Sequence, residues 1–268
     1  MNKKELMLSV ILAVAITGLV IAGWLALVNA IGLIGVACLA WFYRKDQINR
    51  WIKAGLFFLL MPLVFWVATY RPEGFSYPLL FTLPGTEVGE SGFELYVNFA
   101  KALVGLVLLL LLWHKPRGDE FVAAPRWQFL SALFAPAIII AVAIPALGLA
   151  LEPKLIEQIV LFALVNLLVI AVAEEAFMRL LLQQSIRNAA ASLGAQRWVQ
   201  ELFSLVVVTG IFVLIHSGLT GAAVWVYALA GLLYGLSYTL SKNVCYPIMI
   251  HFWVNLIHFA LLTYPIPS

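Results

Sequence analysis

Charge is scarce in this chain. Asp, Glu, Lys and Arg make up 11% of its 268 residues, and the formal net charge is only +3. A soluble globular domain carries about 25% charged residues, so a solvated surface of ordinary composition is excluded. The small positive balance does not point to nucleic acid, because the basic residues cluster in short segments between apolar runs, where they report topology. Cysteine is scarce too: Cys38 and Cys245 both fall in apolar segments and form no metal-type spacing. They read as packing residues, so neither a disulfide framework nor a cysteine metal site is expected. Several hydrolase and nucleotide signatures are also missing, namely Gly-x-Ser-x-Gly, His-Glu-x-x-His and a glycine-rich phosphate loop. There is no fixed-period repeat, and no internal hydropathy symmetry of the kind many transporters show.

Apolar residues dominate what remains, at 64% of the chain with a mean hydropathy of +1.02. Uncharged stretches cover 6–43, 54–70, 127–151, 202–241 and 243–268; the first and fourth are each long enough for two crossings at about 20 residues per span. Lipid-exposed backbone must satisfy its own hydrogen bonds, and no alternating barrel pattern is visible. The expected fold class is therefore all-α: a polytopic transmembrane helical bundle of about eight to nine spans. The start, with Lys3 and Lys4 before an apolar run, is expected to be an uncleaved first span.

Taken in order, 6–43 is expected to form a hairpin turning near Gly23 and Trp24. That turn returns Arg44, Lys45, Arg50 and Lys53 to the side of Lys3 and Lys4, which should be the cytoplasm. A span over 52–70 leads to a polar loop, 71–94, with Glu73, Glu87, Glu90 and Glu94. The next span, 96–113, contains Lys101, read as snorkelling to the outer side. The polar segment 114–120 is the expected boundary between an N-terminal accessory module, 1–120, and a transmembrane core, 121–268. Further spans follow over 127–149, through the carboxylate pair near 174, twice within 202–241, divided at 216–221, and over 246–264.

Residues 171–179, Ala-Val-Ala-Glu-Glu-Ala-Phe-Met-Arg, end an uncharged run from 158 to 173. Charges at membrane depth are costly and usually functional. Glu175 and Arg179 stand four apart on one helix face and are expected to pair; Glu174, rotated by about 100°, is the freer carboxylate and the better general base. His216 has Phe212 one turn earlier, and His251 shares a face with Asn255, with His258 a further turn along. A buried charge knot and interhelical hydrogen bonds are the bland alternatives. Together, though, these groups supply a hydrolase without a nucleophilic side chain: Glu174 to deprotonate a water, His216 to share or hold it, and His251 with Asn255 to donate to an oxyanion. Glu174, His216 and His251 also form a formal His₂Glu zinc set.

Glu174-Glu175-x-x-x-Arg179, Phe212-x-x-x-His216 and His251-x-x-x-Asn255 occur in the order seen in the CAAX-protease and bacteriocin-processing (Abi) family, which the chain resembles over roughly 125–265. The family includes the Ras-converting CAAX endopeptidase type of glutamate intramembrane protease. The resemblance implies that 121–268 is a catalytic core enclosing an intramembrane cavity, with catalysis by Glu174, His216, His251 and Asn255, support from Glu175, Arg179 and Phe212, and no metal or other cofactor. It also implies a membrane-anchored or lipidated protein or peptide substrate, contact with membrane lipids, and a bacterial inner-membrane location with a protein-sorting system as a candidate partner. The first hundred or so residues resemble extra spans that some bacterial members carry. Two other readings stay open: a non-catalytic binding or immunity protein of the same fold, and a proton-coupled transporter. One conflict remains at this stage, because span lengths put Glu174 and His251 in the inner third of the bilayer and His216 near its outer side.

Overall fold

A computed structural model describes residues 3–84, 92–113, 122–216 and 218–266. The expected module boundary at 114–120, with Glu87 and Glu90 of the polar loop, lies outside the described residues.

Among the described residues the chain forms nine helices: α1 (Lys3–Ile21), α2 (Leu27–Tyr43), α3 (Arg50–Thr69), α4 (Phe99–Leu112), α5 (Pro125–Leu147), α6 (Ile156–Ser192), α7 (Arg197–Ile215), α8 (Ala222–Ser241) and α9 (Cys245–Leu261). Five of them, α3 and α5 to α8, are long and apolar enough to cross a membrane; α1, α2, α4 and α9 offer shorter apolar stretches. Large apolar side chains lie exposed along the helices, for example Trp225, Leu214 and Leu168. Water does not tolerate so much open apolar surface, and lipid does. The chain is a helical membrane protein.

Local chemistry fixes the helix ends. Pro125 opens α5, where its missing N–H costs nothing, and Gly148 closes it in the left-handed conformation. At the start of α4 the Asn98 side chain accepts from the Lys101 backbone N–H at 2.9 Å and donates to the Ala68 carbonyl at 2.9 Å. One amide thus ties the end of α3 to the first turn of α4 and orients Lys101.

Cross-contacts identify the two ends of the bundle. At one end Tyr43 Oη meets Ser185 Oγ at 2.6 Å, Lys242 Nζ meets Glu201 at 2.6 Å and the Ala123 N–H donates to Leu240 at 2.8 Å. This end gathers Arg44, Lys45, Arg50, Lys53, Arg126, Arg187, Arg197 and Lys242. At the other end the Glu152 N–H donates to Leu261 at 2.8 Å, and Ala150 pairs with Thr263. Its described charges are mostly acidic: Glu73, Glu94, Glu152 and Glu157 against Arg71 and Lys154.

The polar loop holds structure that its composition did not reveal. Strands β1 (Leu79–Leu83) and β2 (Phe93–Tyr96) pair antiparallel. Phe81 and Phe93 of this hairpin pack over Phe259, Phe162 and Tyr264 at centroid distances of 4.8–6.5 Å, around a stacked Phe162–Phe259 pair at 4.0 Å. This aromatic roof joins the first third of the chain to its last residues.

The depth conflict disappears in the structure. Helix α6 runs on past Arg179 to Ser192, and α7 begins at Arg197 after a short turn. Glu174 precedes Ser192 by eighteen residues, and Ile215, beside His216, follows Arg197 by eighteen. At 1.5 Å per residue both sites stand about 27 Å above the same turn.

Candidate active site

Helix α6 is not regular where it carries the carboxylates. Two stretches of wide, π-type turns, Asn166–Ala171 and Ala176–Gln183, flank a single α-helical turn, Val172–Glu175. Such turns re-aim side chains and recur at functional positions. Close approach of neighbouring helices does the rest. A Cβ on Gly105 of α4 would lie 2.6 Å from Ala173 Cα, so glycine lets α4 touch α6 next to Glu174. On α8, a Cβ on Gly231 would meet the Phe212 ring at 2.9 Å, and one on Gly235 would meet Leu205 at 2.5 Å and the Arg179 guanidinium at 2.9 Å. Gly231 and Gly235 are four apart and form the small-residue stripe that lets membrane helices pack closely.

Around this frame the polar groups form one chain of contacts. Arg179 Nε donates to Glu175 Oε2 at 2.8 Å, and its Nη1 donates to Gln183 Oε1 at 3.0 Å. Gln183 Nε2 continues to the Gly235 carbonyl and to Thr239 Oγ1. The other oxygen of Glu175 accepts from His251 Nδ1 at 2.8 Å, which turns His251 Nε2 to within 3.8 Å of Glu174 Oε2. Tyr234 stacks on the His251 ring at 4.9 Å. Glu175 and Arg179 are fully buried, so each carboxylate lone pair and guanidinium proton used here replaces lost hydration.

His216, at the end of α7, is held by Phe212 in two ways: Nδ1 donates to the Phe212 carbonyl at 2.7 Å, and the rings lie 4.6 Å apart. With the proton on Nδ1, a neutral His216 carries its lone pair on Nε2. Asn255 shares the His251 face, as its spacing predicts, but its amide donates to Asn166 Oδ1 at 3.1 Å, while Asn166 donates to the Phe252 carbonyl at 2.9 Å. Glu174, His216, His251, Asn255 and His258 all line one cavity of about 810 Å³, whose remaining wall is largely apolar, including Ile139, Val226 and Val254.

Glu174, the freer carboxylate by spacing, nonetheless has a cation: Lys101 Nζ of α4 lies 2.7 Å from its Oε1. Lys101 does not snorkel outward, because α4 starts at the level of the site, pinned there by Asn98. Sequence reasoning also missed Asn166, Gln183 and Tyr234. The available signals were an amide inside the uncharged run before Glu174 and the Gly231-x-x-x-Gly235 spacing around Tyr234. Among the described residues no group of three or more His, Cys, Asp or Glu side chains is arranged to hold a metal ion.

The fold and the site define a helical membrane protein with a carboxylate–imidazole cluster at the base of a largely apolar cavity. Residues 156–257, from the start of α6 into α9, match the family model described as Rce1-like, type II CAAX prenyl endopeptidase. This is the family the three motifs resemble, and the match contains all of them. No curated protein and no solved structure matches the chain.

Proposed function

We propose that the protein is an intramembrane endopeptidase of the glutamate type, cleaving a peptide bond near the C-terminus of a membrane-anchored or lipidated polypeptide. The observation that carries this reading is the convergence of Glu174, His216 and His251, from three helices, on one cavity. In this reading Glu174 takes a proton from a water held between it and His216 Nε2. The water oxygen attacks the carbonyl carbon, and the proton passes to the leaving amide nitrogen as the C–N bond breaks. His251, its Nδ1–H donated to Glu175, offers Nε2 to the reacting centre; carrying a second proton there, it donates to the oxyanion beside the Asn255 amide. Each such donor is worth roughly 2.7–4 kcal/mol in a transition state. Glu175, Arg179 and Phe212 position these groups, and the reading calls on no metal or other cofactor. It extends to a bacterial inner-membrane location and to a protein-sorting system as a source of substrates.

The Lys101–Glu174 pair favours a second reading, a binding or immunity protein in which the carboxylate is locked. Purified wild type, Glu174→Gln and His216→Ala proteins, incubated with membrane-anchored candidate peptides, separate the two. The peptidase reading expects cleavage by wild type alone. Equal cleavage by all three rejects it, and peptide binding without turnover in all three supports the binding role.

A further inference from the structure

The cavity belongs to one end of the bundle. It is bordered by the far half of α5, the first half of α6, the loop at 218–220 after His216, the first half of α8 and the tail at Tyr264 and Pro265. Every one of these segments lies at or toward the end marked by Glu73, Glu94, Glu152 and Glu157. Toward the opposite, basic end the space is closed. Met178, Leu181 and Leu182 are at most 1% exposed, and the Arg179–Gln183–Gly235 contacts fill what they leave. A second cavity at the basic end, about 630 Å³ and bordered by Tyr43, Lys53 and Asn188, shares no residue with the first. Basic loops of helical membrane proteins stay in the cytoplasm.

We infer that the cavity is served from the non-cytoplasmic side of the membrane, so that the substrate is an exported, membrane-anchored polypeptide with its scissile bond at the outer leaflet. The apolar wall suits apolar residues beside that bond. This inference rests on the peptidase reading for its substrate, while the orientation stands separately from it.

The test uses full-length protein with Cys38→Ser and Cys245→Ser, to which Thr220→Cys, at the cavity mouth, or Asn188→Cys, at the basic end, is added. Both positions are exposed. In right-side-out membrane vesicles a membrane-impermeant maleimide should label Thr220→Cys several-fold more than Asn188→Cys, with the preference inverted in inside-out vesicles. The opposite pattern overturns the inference. Anchored reporter peptides with the same cleavable segment on either side of the membrane then test the substrate class. Cleavage of the outward reporter supports it, and cleavage of only the inward one overturns it. Cleavage of neither, with labelling as expected, counts against the peptidase reading and leaves the orientation established.

Discussion

Lys101 Nζ and Glu174 Oε1 lie 2.7 Å apart although 73 positions separate them in the chain. The pair brings a cation from outside the family-matched segment onto the most exposed carboxylate of the site. Replacing it by Lys101→Met should lower turnover about tenfold, equivalent to ~1.4 kcal/mol in the barrier, since Glu174 then loses the group that orients it. The two side chains retain 25% and 18% exposure, so water replaces part of the lost contact and melting in detergent should shift little. Unchanged turnover would make Lys101 a spectator.

In the proposed peptidase Glu175 acts on the chemistry through His251, whose Nδ1 lies 2.8 Å from its Oε1. Glu175→Gln removes the acceptor that fixes the imidazole and presents an amide N–H in its place. By analogy with the aspartate of serine-protease triads, where the corresponding change costs ~10⁴ in turnover, a loss between a hundredfold and ten-thousandfold is expected, with KM nearly constant. Steady-state kinetics of the variant checks this. A change confined to KM would remove Glu175 from the positioning role.

Close helix approach makes a separate prediction. Gly105→Val forces new atoms onto the Ala173 backbone and should destabilise the protein by roughly 1–3 kcal/mol. Gly55→Ala, on an open face of α3 with nothing within 4 Å, should be neutral or stabilising by up to about 1 kcal/mol. Thermal unfolding in detergent compares them, and equal melting temperatures would contradict the packing at Gly105.

Asn166 holds the Asn255 amide. Asn166→Leu keeps the branched shape but leaves that amide without its acceptor, and turnover should fall about tenfold, the cost of one ill-placed donor. Asn166→Asp retains the acceptor oxygen and should be the milder change. The reverse order in kinetic assays would show that the contact is structural only.

Much of this architecture was legible in the chain because lipid makes hydropathy decisive: nine apolar segments separated by polar ones correspond to the nine helices, with ends moved by a few residues. The motif groups were legible because four-residue spacing puts Glu175 with Arg179 and Phe212 with His216 on common faces. Lys101 was misread because its span was assumed to start at Tyr96, whereas α4 begins at Phe99, level with the carboxylates. The depth of Glu174 was misjudged because polar residues from Gln183 onward suggested that α6 had left the membrane, although Gln183 is spent inside the bundle on Arg179 and Gly235. The hairpin over 79–96 was hidden by its acidic and glycine-rich setting. Its two short strands gain their stability from rings more than sixty residues away.

Among the described residues the aromatic roof is fastened by ring faces and edges. Concentrated electrolyte screens surface charge pairs within a few ångströms but leaves apolar contact intact. The hairpin should thus stay seated over the ends of α6 and α9 in brine as in dilute buffer, whatever the salinity of the medium that bathes that face.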